Sequence, residues 1–147
     1  MIRFNLKAYN ALKNISINDY EIGGIIGGRK NTVFVVCFDK MEIQYNMGVY
    51  TANVEYLNSV ISKWQNDSIE FYGIFHTHIN GVRELSKGDI DSIYAIMNDL
   101  PNDISKLYFP LIIPNNKVLL YSAERLKHEI KITKEKVVLK GETNEKN

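Results

Sequence analysis

Apolar positions change period several times along this chain. "IRFNL", from Ile2, alternates apolar and polar residues as a half-buried strand does, and "KAYNALKNIS" after it suits a short helix. "EIGGIIGG" (21–28) is a strand-like run whose paired glycines mark a bulge or a neighbouring backbone at close range. "TVFVVCF" and "EIQYNM" carry the branched and aromatic residues of two further strands. From Thr51 the spacing turns helical, with Val54, Leu57, Ile61 and Trp64 recurring on one face of "TANVEYLNSVISKWQND". "IEFYGIFH" returns to a mostly apolar strand, expected at the centre of a sheet. Another helix is predicted from Ser86, with Ile90, Ile93, Tyr94 and Met97 facing inward. "KLYFPLII" and "KVLLYSA" predict strands on either side of a "PNNK" turn, and Pro110 marks its strand as an edge or a bulged one. "HEIKITKEKVVL" adds a strand before the polar end "KGETNEKN". Strands and helices interleave irregularly, which predicts an α/β chain of α+β type with a mixed sheet flanked by helices.

The 147 residues suit one domain, taken as 1–140 with a polar tail at 141–147. With 45% hydrophobic residues the chain can build its core without disulfides. Its formal net charge of +1 gives no electrostatic footprint for nucleic acid or an anionic membrane surface. The single cysteine, Cys37, lies in an apolar strand run and is expected to be a buried, inert thiol. No signal-peptide core opens the chain and no run of about 18 apolar residues occurs in it, so the expected address is the cytoplasm.

Chemistry concentrates in "FYGIFHTHINGVRELSKGD". On a strand, residues i and i+2 share a face, so His76 and His78 present both imidazoles to one side and Thr77 to the other. Two neutral imidazoles side by side suit a cation such as zinc, although the same pair also suits a strand end satisfied by backbone and water. After seven intervening residues (79–85), Ser86 is a natural N-cap, with Asp89 at the N3 position. "SKGD" therefore serves equally as a capping box or as a rigid mount for a third ligand. In the second case His76, His78 and Asp89 leave a fourth position open, the pattern of catalytic rather than structural zinc. Glu21 is the candidate general base, with Asp19 the weaker alternative; a solvated strand-start glutamate is the plain reading of Glu21.

Glu21 in "YEIGGIIGG", then His76-Thr77-His78, seven residues, Ser86, two residues and Asp89, resembles the signature of the JAMM (JAB/MPN-type) zinc metalloproteases. The likeness spans roughly residues 1–125. It implies a curved, mostly antiparallel mixed sheet of the JAB/MPN, cytidine deaminase-like fold. His76, His78 and Asp89 would be the ligands of one zinc ion, Glu21 the base that deprotonates water and protonates the leaving amine, and Ser86 a donor to the oxyanion. Many members carry proline before the motif serine, where this chain has Leu85, and its 79–85 loop "INGVREL" is unusual. Asn80-Gly81 can supply a turn instead.

The resemblance further implies an isopeptidase or peptidase acting after the C-terminal tail of a ubiquitin-like modifier or conjugated protein. Compact relatives of this kind resemble a prokaryotic branch that accompanies activating- and conjugating-enzyme-like proteins, including in antiphage systems, or trims sulfur carriers. A zinc hydrolase of small amides and a catalytically silent interaction module are the alternatives. Amidohydrolase barrels also open their site with His-x-His, but need about 200 residues or more. His128 is expected on the surface, Tyr72, Tyr94 and Trp64 in core or half-buried positions, and Asp91 about 200° around the helix from Asp89.

Overall fold

The computed structural model describes residues 1–17, 20–40 and 50–141. Its elements in chain order are β1 (Arg3–Phe4), α1 (Leu6–Lys13), β2 (Gly23–Arg29), β3 (Thr32–Phe38), α2 (Val54–Asn66), β4 (Glu70–Thr77), α3 (Lys87–Asp99), β5 (Lys106–Ile113), β6 (Lys117–Arg125) and β7 (Ile130–Glu135). The strand expected at "EIQYNM" and the candidate Asp19 lie outside the described residues. The seven strands form one mixed sheet in the order β1-β3-β2-β4-β5-β6-β7, antiparallel except for β1·β3 and β4·β5. Beyond β7 the chain returns to β1, where Phe4 N–H donates to Val138 O and Lys140 N–H to Phe4 O, so the sheet curls. This is a mixed α+β architecture with helices on both faces.

Strand alternation separates the two faces. Ile26, Phe75, Ile112 and Leu120 join Ala8 and Leu12 of α1 in one buried cluster. On the other face, Leu107, Phe109, Leu111 and Ile113 pack with Ile93 and Met97 of α3, while Ile25 meets Leu57 and Trp64 of α2. At about 25 cal/mol per Å² of apolar area, each fully buried side chain of this size contributes about 1.5–3 kcal/mol.

Three helix starts are capped by their own sequence: Asn5 accepts from Ala8 N–H, Asn53 from Tyr56 N–H, and Ser86 from Asp89 N–H. Two helical positions depart from the periodic expectation. Val54 is 63% exposed and Tyr94 40% exposed. α2 begins only at Val54, so that residue lies at the open end of the helix. On α3, Ile93, Ile96, Met97 and Leu100 form the packed stripe, and Tyr94 sits about 100° from Ile93 at its margin. Tyr72 and Trp64 are buried and His128 is exposed, as expected. Cys37 is half-buried rather than buried, because α2 covers β3 only partly.

The paired glycines of β2 do permit close approach. A Cβ on Gly24 would lie 2.1 Å from Cys37 O, and one on Gly28 1.8 Å from Thr32 O. Register shifts fall between Gly27 and Gly28 toward β3 and between Ile26 and Gly27 toward β4. Pro110 corrects the edge-or-bulge expectation, since β5 is internal and its register with β6 runs unbroken. His78 N–H donates to Ile112 O, so alternate residues of β5, Pro110 among them, turn their backbone groups toward β4. The β4·β5 pairing holds at Gly73↔Tyr108 and resumes at His76↔Leu111. Pro110's missing donor falls in that gap.

Candidate metal centre

The site forms where the central strand runs out. Because Phe75 faces α1, the alternation of β4 puts Ile74, His76 and His78 on the face shared by α2 and α3. His76 Nε2 and His78 Nε2 lie 3.2 Å apart. Asp89, at the start of α3, reaches both: Oδ1 is 3.2 Å from His76 Nε2 and Oδ2 3.0 Å from His78 Nε2. The ligand atoms all fall within 4.8 Å of one another. Tetrahedral bonds of 2.0–2.1 Å would set such atoms about 3.3 Å apart, so the cluster fits a small cation with shifts of a few tenths of an ångström.

The neighbours orient these groups. His78 Nδ1 lies 3.0 Å from Val82 O. With that nitrogen donating to the carbonyl, neutral His78 turns the lone pair of Nε2 toward Asp89 and His76. Asp89 Oδ2 accepts the Ser86 N–H at 2.8 Å, and the Ser86 hydroxyl accepts the Asp89 N–H at 3.0 Å. The capping box therefore also sets where the carboxylate points, and holds it against the two imidazoles. The hydrogen bond that protonated His78 donates to Asp89 chiefly raises the His78 pKa, against the opposing effect of burial. Burial also works against ionised Asp89, but His76, His78 and the Ser86 amide together hold its carboxyl well below the ordinary range.

Strand register accounts for Glu21. Gly23 pairs with His76, Thr77 N–H donates to Ile22 O, and one step further sets Glu21 opposite His78. The Thr77 hydroxyl, buried on the other face, accepts the Ile22 N–H at 3.0 Å and fixes the backbone beside Glu21. Glu21 Oε1 accepts the Tyr50 N–H at 3.0 Å. Glu21, His76, His78, Ser86 and Asp89 all line one open cleft of about 520 Å³, whose lining also includes the apolar Ala52, Ile74, Ile93, Ile96 and Phe109. Asp91 is exposed and pairs with Lys87 at 3.0 Å, away from the cluster.

Sequence reasoning missed Thr77, Tyr50 and Asp39. Tyr50 OH donates to Asp39 Oδ2 at 2.8 Å, and that oxygen also accepts the Asn53 N–H at 2.8 Å. Strand pairing and tertiary approach create these contacts, and no local pattern announces them. The one available signal was a buried-type run interrupted by Asp39 just after β3.

No protein-family model and no curated protein matches the chain. A solution structure of a protein from Desulfitobacterium hafniense is similar, with a TM-score of 0.68 at 16% identity over 99% of this chain and 97% of that one. A second, from Salinibacter ruber, gives 0.55 at 12% identity over 94% and 91%. At such identities the likeness shows a shared fold. Among the described residues no helix is long and apolar enough to cross a membrane.

Proposed function

We propose that the protein is a zinc-dependent peptidase of the JAMM (JAB/MPN) type, cleaving the peptide or isopeptide bond that follows the C-terminal tail of a ubiquitin-like modifier or conjugated protein. The observation that carries this reading is the convergence of His76, His78 and Asp89 with Glu21 and Ser86 in one cleft. The curled mixed sheet and the order of its elements agree with the JAB/MPN fold.

His76, His78 and Asp89 would hold the zinc, which supplies a Lewis acid for the scissile carbonyl and makes water acidic enough to attack near neutral pH. Glu21 takes a proton from the attacking water, whose oxygen bonds to the carbonyl carbon. The same carboxyl then gives the proton to the nitrogen as the C–N bond breaks, leaving a carboxylate and an amine. The Ser86 hydroxyl, which accepts from Asp89 N–H, keeps its own proton for the oxyanion. The apolar residues lining the cleft favour a peptide with an aliphatic side chain over a small polar amide.

The test is cleavage of fusions to ubiquitin-like tails together with metal analysis. About one zinc per chain and chelator-sensitive cleavage are expected. Glu21→Gln keeps the metal and loses about a hundred- to ten-thousandfold in turnover. Full activity after thorough chelation excludes the reading.

A further inference from the structure

Glu21 lies outside regular secondary structure, where a carboxylate has rotational freedom that a general base cannot use well. Tyr50 removes that freedom. Its amide holds Glu21 Oε1, and its ring occupies the space above Gly23, where a Cβ would lie 2.5 Å from two ring carbons. Gly23 is the register partner of His76, so this seat adjoins the metal centre. The phenol oxygen ends on Asp39, a carboxylate only 7% exposed. Asp39 is itself fixed at three points: its N–H donates to Gly23 O at 2.9 Å, and its Oδ2 accepts from Asn53 N–H as well as from Tyr50. Asn53 also caps α2. Burial first, and then the Asp39 carboxylate, push the Tyr50 phenol well above its ordinary pKa, so the hydroxyl stays a donor.

We propose that Tyr50 is a positioning residue for Glu21: anchored by its hydroxyl to Asp39 and by its ring on Gly23, it presents the backbone amide that fixes one carboxylate oxygen and leaves the second to act in the cleft. The inference rests on the peptidase reading of Glu21. It adds a tether, Asp39–Tyr50–Glu21, that joins the end of β3 and the approach to α2 to the general base.

Tyr50→Phe and Asp39→Leu test the tether by two routes, each removing the hydroxyl–carboxylate bond while nearly keeping the shape of the side chain. In the metal-free protein, exchange of the amide hydrogen at position 50 is followed by NMR, with Glu21→Ala as the untethered reference. Both variants should speed that exchange by about tenfold or more, toward the reference. In the zinc-loaded protein, kcat should fall about ten- to a hundredfold, with KM and zinc affinity within about twofold of wild type. A purely structural Tyr50 would instead lower Tm and leave kcat unchanged, which overturns the proposal. Unaltered exchange in both variants also overturns it, whatever the activity. A wild-type chain that binds zinc and cleaves no tail fusion removes the peptidase reading and this role with it. The exchange result separates that failure from failure of the tether alone.

Discussion

Glu135 of β7 and Asp89 of α3 are both carboxylates that burial disfavours and that neighbours hold below their ordinary pKa range. The neighbours differ in kind. Glu135 accepts from the Ser122 hydroxyl and lies 3.1 Å from Lys106 Nζ, so its counter-charge belongs to the chain. Asp89 faces two imidazoles whose Nε2 atoms crowd to 3.2 Å, and among the described residues no lysine or arginine is paired with it. One group is closed upon itself. The other gathers lone pairs and negative charge around a point that a proton on His78, or a cation from solution, must neutralise. Partial burial and the same direction of pKa shift thus conceal opposite surroundings, and the source of the positive charge separates them.

The largest effect should come from ion binding. Asp89→Ala or His76→Ala should drop zinc content from about one to under about 0.1 per chain, and Glu135→Ala should leave it unchanged, as read by elemental analysis. Equal loss in both would erase the contrast. Next comes stability: zinc at about a hundred times its Kd should add about 2.7 kcal/mol to wild type and nothing to Asp89→Ala, measured by denaturant titration. Glu135→Ala should cost about 1–3 kcal/mol with or without zinc, because the buried Ser122 hydroxyl loses its acceptor.

Acidity should separate the two carboxylates at a third level. The raised pKa of His78 means a proton competes with the ion to higher pH than usual, so zinc affinity should fall by about tenfold or more between pH about 7.5 and 5.5. The Glu135 pKa is lowered on folding, so its stabilising contribution is complete above the ordinary carboxylate range and fades only as pH drops through the folded value. Calorimetry of Glu135→Ala against wild type should show a constant difference over the first window and a shrinking one below pH about 4.5. The smallest effect belongs to the exposed Lys87–Asp91 pair. Asp91→Ala should change stability by about 0.3–0.5 kcal/mol at most and leave the metal untouched.

Much of the fold was legible because it is written in local periodicity. The amphipathic spacing of Leu57 and Trp64, the alternation through β4, and Asn115-Asn116 in the "PNNK" turn, both at positive φ, each follow from neighbours a few residues away. The convergence of His76, His78 and Asp89 was legible for the same reason, since His-x-His and Ser-x-x-Asp are strand and helix-start patterns. The cap in "SKGD" is formed, and it holds Asp89 beside both imidazoles. Periodicity fixes a helix face only to within about one residue, which is why Tyr94 was assigned inward when Ile96 takes that place. Pro110 defeated its rule because the cost of a missing amide depends on what stands opposite, and the gap beside β4 is set by a partner strand more than thirty residues away. The Asp39–Tyr50 contact is likewise a product of tertiary approach.

The shared carboxylate at the start of α3 has a consequence for order of assembly. Asp89 is recruited by its own helix through Ser86, so the capping bonds that hold this corner are local and need no ion. Under the proposed function, an incoming ion would meet a finished socket rather than having to organise one. Loading and stripping would then proceed as reversible exchange on a folded scaffold, with supply rather than folding deciding how many molecules are charged.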